Sequence, residues 1–235
     1  MFRKLVIYFI TPVVWKLFPN RKAEALQEFS TIEKDSGCQL LWALELIPDP
    51  KYKAYIFQHV IEEFFHAEIF EDLSNSYTNN YLNHKLLPRE MLVNKKSTIS
   101  ELYDFFSYAH VGEKGVNRDF SYYLNAGVDP KISAVFNRVV KDENNHVYDT
   151  DDILKEMTAG KFLYYEFLVY KNTIKRKINE FKKAPQWLAE LILNLILTCV
   201  YYSFGFIAHA TAKKRFNELS EKEILSYIQE QSSEV

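Results

Sequence analysis

The chain has 235 residues, of which 48% are hydrophobic and 26% charged, with 6 Gly, 7 Pro and a formal net charge of −2. That length can bury a substantial core in one domain, with or without an appendage, and the composition excludes a disordered or fibrous chain. The near-neutral charge gives no general attraction to nucleic acid, and the two isolated cysteines, Cys38 and Cys199, exclude a disulfide framework and a thiolate metal centre, which suits a cytoplasmic setting.

The N-terminal stretch Met1 to Phe18 starts with Arg3 and Lys4 and has a short apolar run, Leu5 to Ile10. No small-residue cleavage site follows, and Trp15 and Lys16 stand where one would lie, so a core-capping or interfacial helix is expected rather than a secretory signal. Asn20 is then a candidate cap for a helix from about Arg21 to Ile47, which Pro48-Asp49-Pro50 ends. A second helix runs to about Tyr77, followed by a loop from Asn79 to Lys96. Thr98 and Glu101 form a capping-box pattern that opens a third helix, with Gly127 in the turn after it. Asp129-Pro130 pairs a cap with a first-position proline for a fourth helix to about Met157, where Gly160 breaks it. Three further segments are expected: Lys161 to Phe181, Pro185 to about Phe216, and a short one opened by a Ser220/Glu223 box. No strand-like alternation interrupts this all-α pattern. The expected organisation is an N-terminal segment 1–20, a helical bundle 21–158 and a C-terminal helical extension 159–235.

The second helix carries Glu63-Phe64-Phe65-His66 and the fourth Glu143-Asn144-Asn145-His146. A spacing of three puts carboxylate and imidazole on one helix face, within reach of one ion. One Glu-x-x-His is weak, but each copy also has a glutamate 30 residues upstream, Glu33 and Glu113. In an antiparallel hairpin, residues equally far from the turn face each other. With turns centred near 49 and 128, Glu33 falls level with Glu63 and His66, Glu113 opposite Glu143, and His110 opposite His146; Glu45 lies too near its turn. Each hairpin thus presents Glu, Glu and His at one height. Four carboxylates buried together need compensation, which two divalent cations supply, and oxygen-rich ligation with an imidazole each suits iron or manganese.

This arrangement resembles the ferritin-like di-iron carboxylate proteins, in which two helices each give a Glu and two give Glu-x-x-His. The resemblance covers Arg21 to about Met157, is carried most strongly by Val139-Val140-Lys141-Asp142-Glu143-Asn144-Asn145-His146, and in spacing is similar to the aldehyde-deformylating oxygenases. It implies a ferritin-like four-helix bundle with extra N- and C-terminal helices. It further implies that Glu33, Glu63, His66, Glu113, Glu143 and His146 hold two Fe ions (or a Mn/Fe pair), with Glu63 and Glu143 bridging. Asp142 and Glu62 match acidic positions that orient the histidine of the opposite helix.

Two cysteines cannot build a rubrerythrin's second iron site, and Phe70 stands where reductase small subunits carry a radical tyrosine. The symmetric site therefore resembles oxygenases and oxidases that take O2 as co-substrate and oxidise a hydrophobic organic molecule: a lipid, an acyl chain or an aromatic. An external electron donor of the ferredoxin kind is implied, because the chain has no flavin or nicotinamide motif. The alternative is an iron oxidation and storage protein with no organic substrate. Phe64, Phe65, Ile69, Phe70, Tyr103, Phe105, Phe106 and Tyr108 give the site apolar surroundings, mostly core. His59, His84, His110 and His209 are expected to be structural or solvated.

Trp187 to Ala208 is apolar, with Glu190, Asn194 and Thr198 drawing a polar stripe, so a core or interfacial helix is expected rather than a lone span. Lys171, Lys175, Arg176, Lys177, Lys182 and Lys183 precede it. Such a run is a solvated face, or a patch for peripheral membrane contact or an acidic carrier protein.

Overall fold

The computed structural model describes residues 2–78, 91–94, 96–127 and 129–218, all of whose regular elements are helices. Two units are distinguished, Met1–Lys175 and Arg176–Val235. In chain order the helices are α1 (Phe2–Leu5), a π-helical stretch (Val6–Ile10), α2 (Thr11–Leu17), α3 (Pro19–Leu44), α4 (Pro50–Asn75), α5 (Ile99–Asn125), α6 (Pro130–Met157) and α7 (Phe162–Glu218).

Local chemistry sets most of the starts. Asp49 accepts the Lys51 N–H at 2.8 Å ahead of α4, and Asp129 accepts the Lys131 N–H at 2.9 Å ahead of α6, each followed by a proline that needs no amide partner. At α5 the Glu101 N–H donates to the Thr98 hydroxyl at 3.2 Å while the Thr98 N–H donates to the Glu101 carboxylate at 2.6 Å, closing the expected box. Helix α3 differs from expectation: it is capped at Phe18 without a side-chain bond, and Pro19 rather than a residue after Asn20 begins it. Positive φ at Gly127 (63°), Ala159 (49°) and Gly160 (69°) turns the chain out of α5 and α6.

Within the first unit, α3 packs on α4 and α5 on α6 as hairpins, and α4 lies against α6. Cross-links define an antiparallel register: Ser74 to the Ala23 carbonyl and Lys34 to Glu71 in the first hairpin, His110 to Thr150 and Asn117 to Asn144 in the second. Two apolar clusters fill the interior. One gathers Leu40, Ile56, Val60, Phe105, Phe106 and Ile153, the other Trp15, Leu26, Phe70, Phe120, Phe136 and Val139. The candidate ligands lie between them in sequence on all four helices. The N-terminal segment caps the second cluster through buried Trp15, and Arg3 pairs with Asp119 at 2.9 Å.

The first part of α7 belongs to this unit. Tyr165 and Leu168 enter the first cluster, and Asn172 donates to Asp104 at 3.0 Å and to the Ser107 hydroxyl at 3.2 Å. The expected break before Pro185 does not occur. Helix α7 runs through the proline, in an exposed stretch where water can take the carbonyl left without its amide donor.

The second unit, by itself, is the remainder of α7. Its described apolar side chains are exposed, among them Phe181, Leu188, Ile192, Ile196, Phe204 and Phe206. Among the described residues no helix is long and apolar enough to cross a membrane. The side chains of Glu190, Asn194, Thr198 and Lys183, the Ser220/Glu223 box and His84 lie outside what is described.

Candidate metal centre

All six motif residues converge at mid-height of the first unit, and all are buried: Glu33 from α3, Glu63 and His66 from α4, Glu113 from α5, Glu143 and His146 from α6. They form two adjoining groups, Glu63, Glu113 and His146 together with His59, and Glu33, His66 and Glu143. Within each group the potential ligand atoms lie within 4.8 Å of one another. Glu143 Oε1 stands between them, 3.4 Å from His66 Nδ1 and 3.6 Å from His146 Nδ1, and the latter nitrogen is 3.5 Å from Glu63 Oε1.

The two histidines of the motifs are held from behind. His66 Nε2 lies 3.2 Å from Asp142 and His146 Nε2 lies 2.8 Å from Glu62, each acid coming from the opposite helix. A proton on Nε2 then leaves the Nδ1 lone pair facing the interior, which is how outer carboxylates orient metal-binding imidazoles. Glu62 and Asp142 reach solvent themselves, each side chain about a quarter exposed.

Helix α3 approaches α4 closely at this height. A Cβ on Gly37 would sit 3.3 Å from the Glu63 Cβ and 3.3 Å from the Phe64 ring. The glycine thus sets how near Glu63 lies to α3 and its Glu33.

The protonation pattern follows from burial. Burial raises Glu33, Glu63 and Glu113 well above the ordinary carboxylate range, and neighbouring carboxylates raise them further: Glu63 and Glu143 act on Glu33, Glu113 on Glu63, Glu143 on Glu113. Glu143 goes the other way. Burial opposes its charge, yet the imidazoles of His146 and His66 beside it bring it down to about 2. Burial likewise disfavours charged His146, but Glu143 and Glu62 raise it to about 10. His66 is raised by Glu143 and Glu33 against the same desolvation. The protein groups alone therefore neutralise the site with protons, and bound cations would displace them.

Several buried atoms here have no protein partner: Glu33 Oε1, Glu63 Oε2, both oxygens of Glu143, and Nδ1 of His59, His66 and His146. Unpaired acceptors grouped this densely, with carboxylate and imidazole but no thiolate, fit a first-row divalent ion such as iron or manganese. The two cysteines, both free, stand apart from this donor set.

Two histidines expected to be structural or solvated turn out buried. His59, one turn before Glu63, places Nε2 2.8 Å from Glu63 Oε1 and stacks on His146 with ring centroids 3.6 Å apart. Its spacing from Glu63 and His66, four and then three, was the available signal, since all three share one helix face. His110 does not join the ligand groups. Its Nδ1 donates to the Thr150 hydroxyl at 3.1 Å, because that hydroxyl donates onward to the His146 carbonyl at 2.7 Å. Its Nε2 lies 3.4 Å from Asp151, whose carboxylate accepts from Tyr165 and Lys155. Of the aromatic lining, Phe70, Phe105 and Phe106 are core, while Phe64 is partly exposed. Two open grooves lined mostly by charged residues lie along α3 and between α3 and α4, the second flanked by Phe64.

No protein-family model matches this chain, and no curated protein or solved structure matches it either.

Proposed function

We propose that the chain is a ferritin-like four-helix bundle enzyme, a di-iron oxygenase or oxidase that activates O2 and oxidises a hydrophobic organic substrate. The observation that carries this reading is the buried layer in which four carboxylates and the two motif imidazoles converge with seven partnerless donor atoms. Bound iron would supply the redox chemistry, reducing O2 with electrons from an external donor. Glu33, His66 and Glu143 would hold one ion and Glu63, Glu113 and His146 the other, with Glu63 and Glu143 placed to share theirs.

The chain's own residues supply the rest. Asp142 and Glu62 keep the Nε2 protons of His66 and His146 in place, so both rings present Nδ1 to the interior. The apolar clusters on either side exclude water, which strengthens every charge interaction between them. Phe64, beside the site and reaching the surface, marks a route for an apolar substrate. The basic run before the exposed apolar part of α7 suits an acidic donor protein or an anionic lipid surface as partner.

The test is metal content per chain and oxygen consumption by the reduced, iron-loaded protein, in wild type and in Glu143→Ala. Two irons per chain and oxygen uptake lost in the variant support the proposal. No stoichiometric metal in the wild type overturns it. A cage-sized assembly holding many irons per chain favours iron storage instead.

A further inference from the structure

We propose that His59 is a seventh metal ligand, which makes the two ion positions unequal: a two-imidazole position (His59, Glu63, Glu113, His146) that fills first, and a one-imidazole position (Glu33, His66, Glu143). This rests on the di-metal reading above and goes beyond its six ligands.

Geometry supports it. Two ligand atoms about 2.1 Å from a shared ion, separated by 90–110° there, lie about 3.0–3.4 Å apart. Around Glu63 Oε1 the spacings are 2.8 Å to His59 Nε2 and 3.5 Å to His146 Nδ1, and His59 Nε2 is 3.9 Å from Glu113 Oε1. These three spacings lie within about half an ångström of that range, and all four donors lie within 4.8 Å of one another. The His59 side chain is 1% exposed, and its stacking on His146 fixes the ring plane. His66 and His146 are anchored from behind through Nε2, whereas His59 is oriented by its stacking on His146 and by Glu63. His59 Nδ1 has no such anchor.

The donor sets then differ in kind. Imidazole favours the later first-row ions, whereas an oxygen-dominated set tolerates manganese. The position with two imidazoles should take the first equivalent of cobalt(II), and the position with one the second.

The experiment is an anaerobic cobalt(II) titration followed by the ligand-field absorption, for wild type, His59→Gln and His66→Gln. Glutamine can still donate a hydrogen bond to Glu63 but replaces the imidazole. The expected result is two steps in the wild type, with His59→Gln weakening the first about a thousandfold and changing its spectrum, against the roughly 10–100-fold loss typical of an outer partner. His66→Gln should weaken the second. X-ray absorption of the wild type with one equivalent of cobalt should show two imidazoles per ion, a count that needs no variant to fold. His59→Gln with wild-type affinities and spectrum, or one imidazole on the first cobalt, overturns this inference and leaves the two-metal site intact. A wild type that binds no cobalt removes the site itself.

Discussion

The buried layer of ligands and the apolar clusters flanking it are built on the same four helices, yet they oppose each other energetically. In the flanking cluster, Phe136 meets Phe29, Phe70, Phe120 and Tyr123 with ring centroids 5.2–5.9 Å apart, so each contact favours folding. In the ligand layer, four carboxylates are desolvated, and three of them are driven toward the neutral acid. The contrast teaches that the apolar layers hold the helices in register around a polar layer that burial itself disfavours.

The contrast is broken most strongly by Phe136→Ala, which should cost about 3–5 kcal/mol in chemical denaturation while leaving metal stoichiometry per folded molecule unchanged. Next in size is an effect of pH at His110. Burial, with Lys114 nearby, lowers it to about 4. Its unfolded value is near 6.5, so its contribution to stability is complete above about 6.5 and lost as pH falls through 4, a change of at most about 3 kcal/mol. Stability profiles of wild type and His110→Gln should diverge in that window and run parallel above it; parallel curves throughout would show that His110 does not carry the transition.

Within the ligand layer the sign reverses. A buried acid whose pKa is raised stabilises the fold below its unfolded value and loses that contribution as pH climbs toward the folded one. Glu33→Gln, which keeps the shape of the neutral acid, should therefore stabilise the chelator-treated protein at pH 7 by roughly 1–2 kcal/mol and reduce stabilisation by added divalent ion to the share of the position that lacks Glu33. Thermal melts with and without metal read both. The smallest effect is expected of Gly37→Ala. Helix propensity favours alanine by about 0.5–1 kcal/mol, but the new Cβ presses on Glu63 and Phe64. Stability should change by less than about 1 kcal/mol while the spectrum of bound cobalt shifts.

Much of this was legible in the sequence because a hairpin converts distance from a turn into height. That rule, applied to the turns near 49 and 128, levelled Glu33 with Glu63 and Glu113 with Glu143, and each pair does interact, although the two candidate ion groups each draw on both hairpins. The Thr98–Glu101 box and the Asp129-Pro130 start were equally direct, being local chemistry, whereas Asp49-Pro50 was read as a stop and also caps α4. His59 was not found by the rule, since its level on α3 is position 39, a glutamine, and its neighbours Glu113 and His146 arrive from the other hairpin. His110 was placed opposite His146, whereas its partner is Thr150, one turn further along α6. Pro185 fails as a stop because the proline rule describes one lost hydrogen bond, and an exposed helix survives that loss.

The enclosure of the ligand layer bears on time as well as energy. Every one of its seven side chains is nearly sealed from water, and apolar packing closes it above and below. Exchange of a bound ion should then depend on how often the body opens as well as on how tightly the side chains grip. Metal acquired during folding would then persist through chelator challenges much longer than its affinity alone implies, and its release should keep pace with amide hydrogen exchange in α4 and α6.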